Sequence, residues 1–92
     1  MIKNVTVIGA GLMGAGIAAH LTNAGTSVTL LDIPDDTSRS RNNLADQAVS
    51  KLIKIKPAAL TLPKNAKLIK TGNIDDHLHL INKSDWVIEV II

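Results

Sequence analysis

The chain has no cysteine, phenylalanine or tyrosine, and Trp86 is its one aromatic residue. Lack of cysteine excludes disulfides, thiolate metal sites and a thiol nucleophile, and it fits a reducing compartment. With so few aromatic rings the core must be built from Ile, Leu, Val and Ala, and no aromatic residues interleave with the cations as a base-stacking surface requires. No apolar run approaches the roughly eighteen residues of a membrane span, and the N-terminus lacks the basic-then-apolar layout of a secretory signal. A soluble, cytoplasmic protein is the expectation. At 92 residues the chain makes one small domain with a modest core.

The net charge of +2 conceals an uneven distribution. Residues 39–70 carry Arg39, Arg41, Lys51, Lys54, Lys56, Lys64, Lys67 and Lys70 against Asp46 alone, whereas residues 71–92 carry Asp75, Asp76, Asp85 and Glu89 against Lys83. The basic middle segment reads first as the solvated face of a helix and second as a surface attracting an anionic cofactor or a phosphate-bearing substrate. Nothing beside it resembles a nucleic-acid motif, so no nucleic-acid partner is expected.

The stretch from Val5 to Gly14, Val-Thr-Val-Ile-Gly-Ala-Gly-Leu-Met-Gly, carries the chemistry. Its branched residues suit a strand, and the three glycines that follow open a helix, the pattern of a dinucleotide-binding turn. Gly9 permits the tight turn. Gly11 lets the main chain approach a pyrophosphate, whose charge is met by free helix N–H groups and the helix dipole. Gly14 lets helix and strand pack closely. Asp32 stands at about the expected distance downstream, where a carboxylate can accept hydrogen bonds from both hydroxyls of an adenosine ribose. The same carboxylate repels a 2′-phosphate, which points to NAD over NADP, although a guanidinium from Arg39 or Arg41 near that pocket could neutralise such a phosphate.

In chain order, residues 2–8 read as the first strand. A helix follows from about Leu12 to Ala24, with an apolar stripe of Met13, Ile17, Leu21 and Ala24, small residues elsewhere and Gly25 as its stop. Ser27–Ile33 is the second strand, ended by Pro34. A second helix spans about Ser40 to Lys56 with Leu44, Ala48, Leu52 and Ile55 as its stripe, and Pro57 ends it. Residues 57–67 read as a turn of helix and a loop, and 68–70 as a short third strand. Asn73 caps the next helix, with Asp76 in capping-box position and Ile74, Leu78 and Ile81 facing inward. Trp86–Ile92 is the fourth strand, in which Glu89 must face either a ligand crevice or an edge that reaches water. His20 has no partner at metal spacing, and His77 and His79, two apart, cannot share a helix face, so no metal site is expected. The fold class is α/β, a Rossmann-type, mostly parallel sheet with helices on both faces. An apolar strand at the end of the chain, with no helix to cover it, suggests the N-terminal part of a longer protein.

Val-Thr-Val-Ile-Gly-Ala-Gly-Leu-Met-Gly-Ala-Gly-Ile-Ala, then Leu-Leu-Asp-Ile, then Asp-Trp-Val-Ile-Glu-Val-Ile resembles the NAD-binding domain of L-3-hydroxyacyl-CoA dehydrogenases across nearly all 92 residues. The stretches at Lys56–Leu60 and Thr71–Asp76 look most like the large bacterial fatty-acid oxidation proteins with a fused enoyl-CoA hydratase part. The resemblance implies that Gly9, Gly11 and Gly14 bind the pyrophosphate, with Leu12 and Met13 alongside it. It places Asp32 on the adenosine ribose, Ile33 beside the adenine, and Val90 and Ile91 beside the nicotinamide ribose. It gives Arg39, Arg41, Lys51, Lys54 and Lys56 a role toward the phosphates of coenzyme A. It also implies an acyl-CoA substrate, and a helical substrate and dimerisation domain that is absent here and makes the parent a homo-oligomer. No catalytic residue falls on this chain, so these 92 residues are expected to be inactive alone. A related β-hydroxyacid or nucleotide-sugar dehydrogenase and a non-catalytic NAD-sensing module are the alternatives.

Overall fold

The computed structural model describes residues 2–37, 39–54 and 63–90. Strand β1 (Asn4–Ile8) leads into helix α1 (Leu12–Asn23), strand β2 (Ser27–Asp32) and helix α2 (Asn43–Lys54). A 3₁₀ turn (Pro63–Leu68) precedes strand β3 (Ile69–Asn73), helix α3 (Ile74–His77) continues as a second 3₁₀ segment (Leu78–Lys83), and β4 (Trp86–Glu89) follows. The strands form one parallel sheet in the order β3-β2-β1-β4. The chain therefore winds outward from β1 to β3 and then crosses back to β4, which leaves the carboxyl ends of β1 and β4 flanking a topological switch point.

Right-handed crossovers put α1 and α2 on one face and the return segment on the other. Side-chain parity bears this out. Val5, Val7, Val28, Leu30 and Ile69 join Ala15, Ala18, Ala19, Ala48 and Leu52 in one buried aliphatic cluster. On the opposite face the Thr6 hydroxyl hydrogen-bonds to that of Ser84, and Leu31 packs beside Gly72 and His77. Helices thus cover both faces, as the sequence implies.

Several expectations shift. Helix α1 buries Gly14, Ala15, Ala18, Ala19 and Thr22, while Met13 is 70% exposed and Ile17 and Leu21 are half-buried. The small residues, and not the large stripe, face the sheet because they let the helix axis come close to it, and the bulkier side chains splay to the flanks. Helix α2 starts at Asn43, three residues later than its pattern suggests, because the chain from 39 to 42 turns, with the Asn43 N–H donating to the Ser40 carbonyl at 3.2 Å. Of the stripe on α2, Ile55 lies outside the described residues, as do Lys56 and Pro57.

Strand β3 runs on to Asn73, because pairing of Leu31 with Gly72 and Asp32 with Asn73 outweighs the poor strand propensity of Gly and Asn. Asn73 does cap α3, accepting from the N–H groups of Asp75 and Asp76 at 3.1 and 2.8 Å. The reciprocal bond fails: the Asp76 carboxylate takes the Asn73 side-chain amide, and His77 Nδ1 accepts the Asn73 backbone N–H at 3.0 Å. Asp is one methylene shorter than the Glu or Gln of a capping box. Neither α3 nor the 3₁₀ segment after it buries a residue, and Leu78 is 45% exposed, contrary to its expected inward position. With Ile74 and Ile81 only half-buried, little packing sustains the helix, and it tightens after one turn. Glu89 is exposed on β4, an edge strand among the described residues, so it reaches water there.

Candidate functional site: the carboxyl end of the sheet

At the end of β1 the backbone turns through Gly9, whose φ of 115° is a conformation that side chains oppose. Its N–H donates to the Leu31 carbonyl at 2.7 Å, which ties the turn to β2. A Cβ on Gly9 would also meet Val90 at 3.1 Å, and one on Gly14 would lie 1.7 Å from the Gly9 carbonyl oxygen. Those two glycines are required by the protein's own packing. Gly11 is different. It has an ordinary extended conformation, and a Cβ there would meet nothing within 4 Å. What a side chain at Gly11 would obstruct is therefore the space in front of the helix, the place where a pyrophosphate would lie.

Gly11 is also the N-cap of α1, without a side-chain cap and with no acidic residue in the first turn. The backbone N–H groups of that turn and the positive end of the helix dipole face open space, a fit for a dinucleotide pyrophosphate. Leu12, 87% exposed, and Met13 flank this opening.

Asp32 joins the two loops of the site. Its Oδ2 accepts the Ala10 N–H at 2.7 Å and its Oδ1 accepts the Ile33 N–H at 2.6 Å. An ionised carboxylate offers about four acceptor positions, so both oxygens retain capacity for a ribose diol. That Asp32 also pins the glycine turn was not legible in the spacing of the motif. Ile33, beside it, is 52% exposed. Val90, half-buried, donates its N–H to the Ile8 carbonyl at 2.8 Å, and its side chain packs against the turn at Gly9 and Gly14. Ile91 lies outside the described residues.

A cleft of about 460 Å³ runs from Ala10, Gly11 and Asp32 to a wall formed by Leu44, Ala48 and Leu52 of α2, with the exposed residues Gln47 and Lys51 beside it. The stripe of α2 thus serves two surfaces: Ala48 and Leu52 enter the core, and together with Leu44 they also line the cleft. Periodicity marks such a stripe but not the gap left beside it.

The basic residues separate. Lys51 lines the cleft, whereas Lys54, exposed at the end of α2, does not. Arg39 is exposed on the loop before α2. Arg41 is engaged by three carboxylates, with Nε donating to Asp36 at 3.1 Å, Nη1 to both oxygens of Asp76 at 2.8 and 2.9 Å, and Nη2 to Asp75 at 3.3 Å. Partial burial works against the Arg41 charge, but the nearby Asp76, Asp36 and Asp75 outweigh it and raise its pKa. Asp76 is held below the usual carboxylate range by the Asn73 amide first, against some desolvation, and then by the charge of Arg41. Among the described residues no cluster of His, Cys, Asp and Glu could hold a metal ion, and no helix is long and apolar enough to cross a membrane.

Residues 4–92 match the model of the family described as the 3-hydroxyacyl-CoA dehydrogenase, NAD binding domain. The chain belongs to this family. It is 48% identical over 91 residues to a Deinococcus radiodurans protein named a probable 3-hydroxyacyl-CoA dehydrogenase, a match covering 99% of this chain and 26% of that protein. It is 42% identical over 105 residues to a Bacillus subtilis protein of the same name, covering 99% of this chain and 13% of the relative. The crystal structure of 3-hydroxybutyryl-CoA dehydrogenase from Escherichia coli superimposes with a TM-score of 0.70 at 28% identity, over 97% of this chain and 18% of that one. The chain therefore spans about a quarter or less of the length of these proteins. The family supplies the cofactor, NAD, and the fold is the Rossmann-type α/β sheet that the glycine pattern implied.

Proposed function

We propose that the carboxyl end of the sheet holds NAD for a 3-hydroxyacyl-CoA dehydrogenase of which this chain is one portion. The opening at Gly11, where a Cβ would meet nothing within 4 Å apart from its own chain neighbours, carries this reading. The pyrophosphate lies on Gly9, Gly11 and Gly14 and on the main chain of Leu12 and Met13. Asp32 accepts the adenosine ribose hydroxyls, Ile33 packs beside the adenine, and Val90 and Ile91 adjoin the nicotinamide ribose. Bound NAD supplies hydride acceptance from the 3-hydroxyl carbon of an acyl-CoA. This chain's residues bind and orient it, and the acid–base group such chemistry needs comes from outside the 92 residues.

Arg39, Lys51, Lys54 and Lys56 are assigned toward the phosphates of coenzyme A, and among the described ones Lys51 lines the cleft. Arg41, engaged by three carboxylates, contributes least to it. The parent is a cytoplasmic homo-oligomer that assembles through a domain other than this one. The test is 3-ketoacyl-CoA-dependent oxidation of NADH by the complete protein that contains this chain. Turnover is expected, and NADH binding without turnover would favour the alternative of an NAD-sensing module.

A further inference from the structure

The carboxyl edge of β2 and β3 carries five carboxylates, Asp32, Asp35, Asp36, Asp75 and Asp76, against Arg39 and Arg41. The loop after β2 returns on itself, with the Asp35 N–H donating to the Arg41 carbonyl at 3.0 Å, so the backbone of Arg41 lies three residues from Asp32 along this rim. From the other side, Asn73 pairs with Asp32 in the sheet and its side chain donates to Asn42 at 2.7 Å, which places Asp75 and Asp76 against the same loop. A 2′-phosphate on a ribose held by Asp32 would emerge at this rim. Arg41 has the planar fork that would bind it in bidentate fashion. Most of that fork is already engaged, since Nε donates to Asp36, Nη1 to both oxygens of Asp76 and Nη2 to Asp75.

We infer that Asp75 and Asp76 are specificity-determining residues, which favour NAD over NADP by sequestering Arg41 from the 2′ position of the adenosine ribose. This rests on the placement of the ribose at Asp32 given above, and it adds a second element to the repulsion by Asp32 itself. Asp75 and Asp76 touch no part of the cofactor; they act through Arg41 as positioning residues. The two aspartates follow β3, far in sequence from the glycine turn and from Asp32, so the selectivity is assembled only by the fold.

The test is calorimetric titration of the complete protein with NAD and with NADP. For Asp75→Asn/Asp76→Asn, NADP affinity is expected to rise about tenfold while NAD affinity stays within about twofold, because a released guanidinium gains a phosphate partner that NAD does not offer. Adding Arg41→Ala to that pair should abolish the gain. Asp75→Asn alone leaves the Asn73 cap bonds to the backbone in place, and it is expected to give a smaller gain of about threefold if the double variant fails to fold. Unchanged NADP affinity in the variants, with NAD bound as before, would overturn the inference alone, as would a gain that persists without Arg41. Failure of the unmodified protein to bind NAD would overturn the cofactor reading and this inference with it.

Discussion

The two ends of the parallel sheet use the same device for different purposes. At the amino end the Asp85 carboxylate accepts the N–H groups of Lys3 and Asn4 at 2.8 and 2.9 Å, while the Asp85 N–H donates to the Asn4 carbonyl at 2.8 Å. At the carboxyl end Asp32 accepts the N–H groups of Ala10 and Ile33. Each aspartate stitches a strand end to a neighbouring segment. The difference lies in what surrounds it. Asp85 and Asn4 close β4 onto β1, and the two backbone donors, Asn4 before Lys3, hold the Asp85 pKa below the usual carboxylate value. Asp32 instead stands beside a cleft, next to a helix N-terminus that no side chain caps. One carboxylate completes a fold, and the other leaves acceptor capacity beside space that the fold keeps open.

Gly14→Ala should break the carboxyl end most severely. Its Cβ would lie 1.7 Å from the Gly9 carbonyl oxygen, so α1 must move off β1 or the turn must rebuild. A cost above about 4 kcal/mol is expected against a total stability of about 5–15 kcal/mol. Loss of a cooperative melting transition by circular dichroism checks it. Asp32→Ala should come next. It removes charge-assisted bonds worth about 1.5–3 kcal/mol, so NAD affinity should fall by about 10–100-fold in calorimetric titration. The melting temperature should also fall by a few degrees, because the turn loses its tie at Ala10.

Asp85→Ala sharpens the contrast from the other end. It should lower the melting temperature by a few degrees and leave NAD affinity unchanged when measured well below the transition. Because the folded-state pKa of Asp85 is depressed, its stabilising contribution is complete above its unfolded pKa of about 3.9 and disappears as pH falls through the lower folded value. The melting temperatures of the variant and the unmodified protein should therefore differ at neutral pH and converge in acid. A gap that widens on acidification would contradict this assignment.

The carboxyl end was the more legible of the two in the sequence, for a physical reason. A strand, three glycines and a helix start are local features whose spacing is fixed by the turn itself, and Asp32 ends the next strand. That the sheet is parallel also follows from the alternating strand and helix patterns, whereas the strand order is seen only in the fold. What could not be read depended on distant partners. The orientation of α1 was set by how closely Ala15, Ala18 and Ala19 approach the sheet, and the length of β3 by its pairing with β2. The break in the helix that Asn73 caps came from a face that the sheet buries only in part. Arg41 reads in the sequence as a cation open to a ribose phosphate or coenzyme A, and only the fold brings Asp75 and Asp76 to it. The wall of the cleft on α2 was visible as an apolar stripe, but periodicity alone assigns all of such a stripe to the core.

Gly11→Val separates the site from the scaffold more cleanly than any of these substitutions. The backbone at Gly11, with φ −69° and ψ −171°, suits a branched residue, and the space in front of it is open. The decisive measurement is NAD titration of this variant beside its thermal melt. The melting temperature should stay within about 4 °C of the unmodified protein, while NAD affinity falls at least about tenfold. Unchanged NAD affinity with the fold intact would contradict the placement of the pyrophosphate at the end of β1.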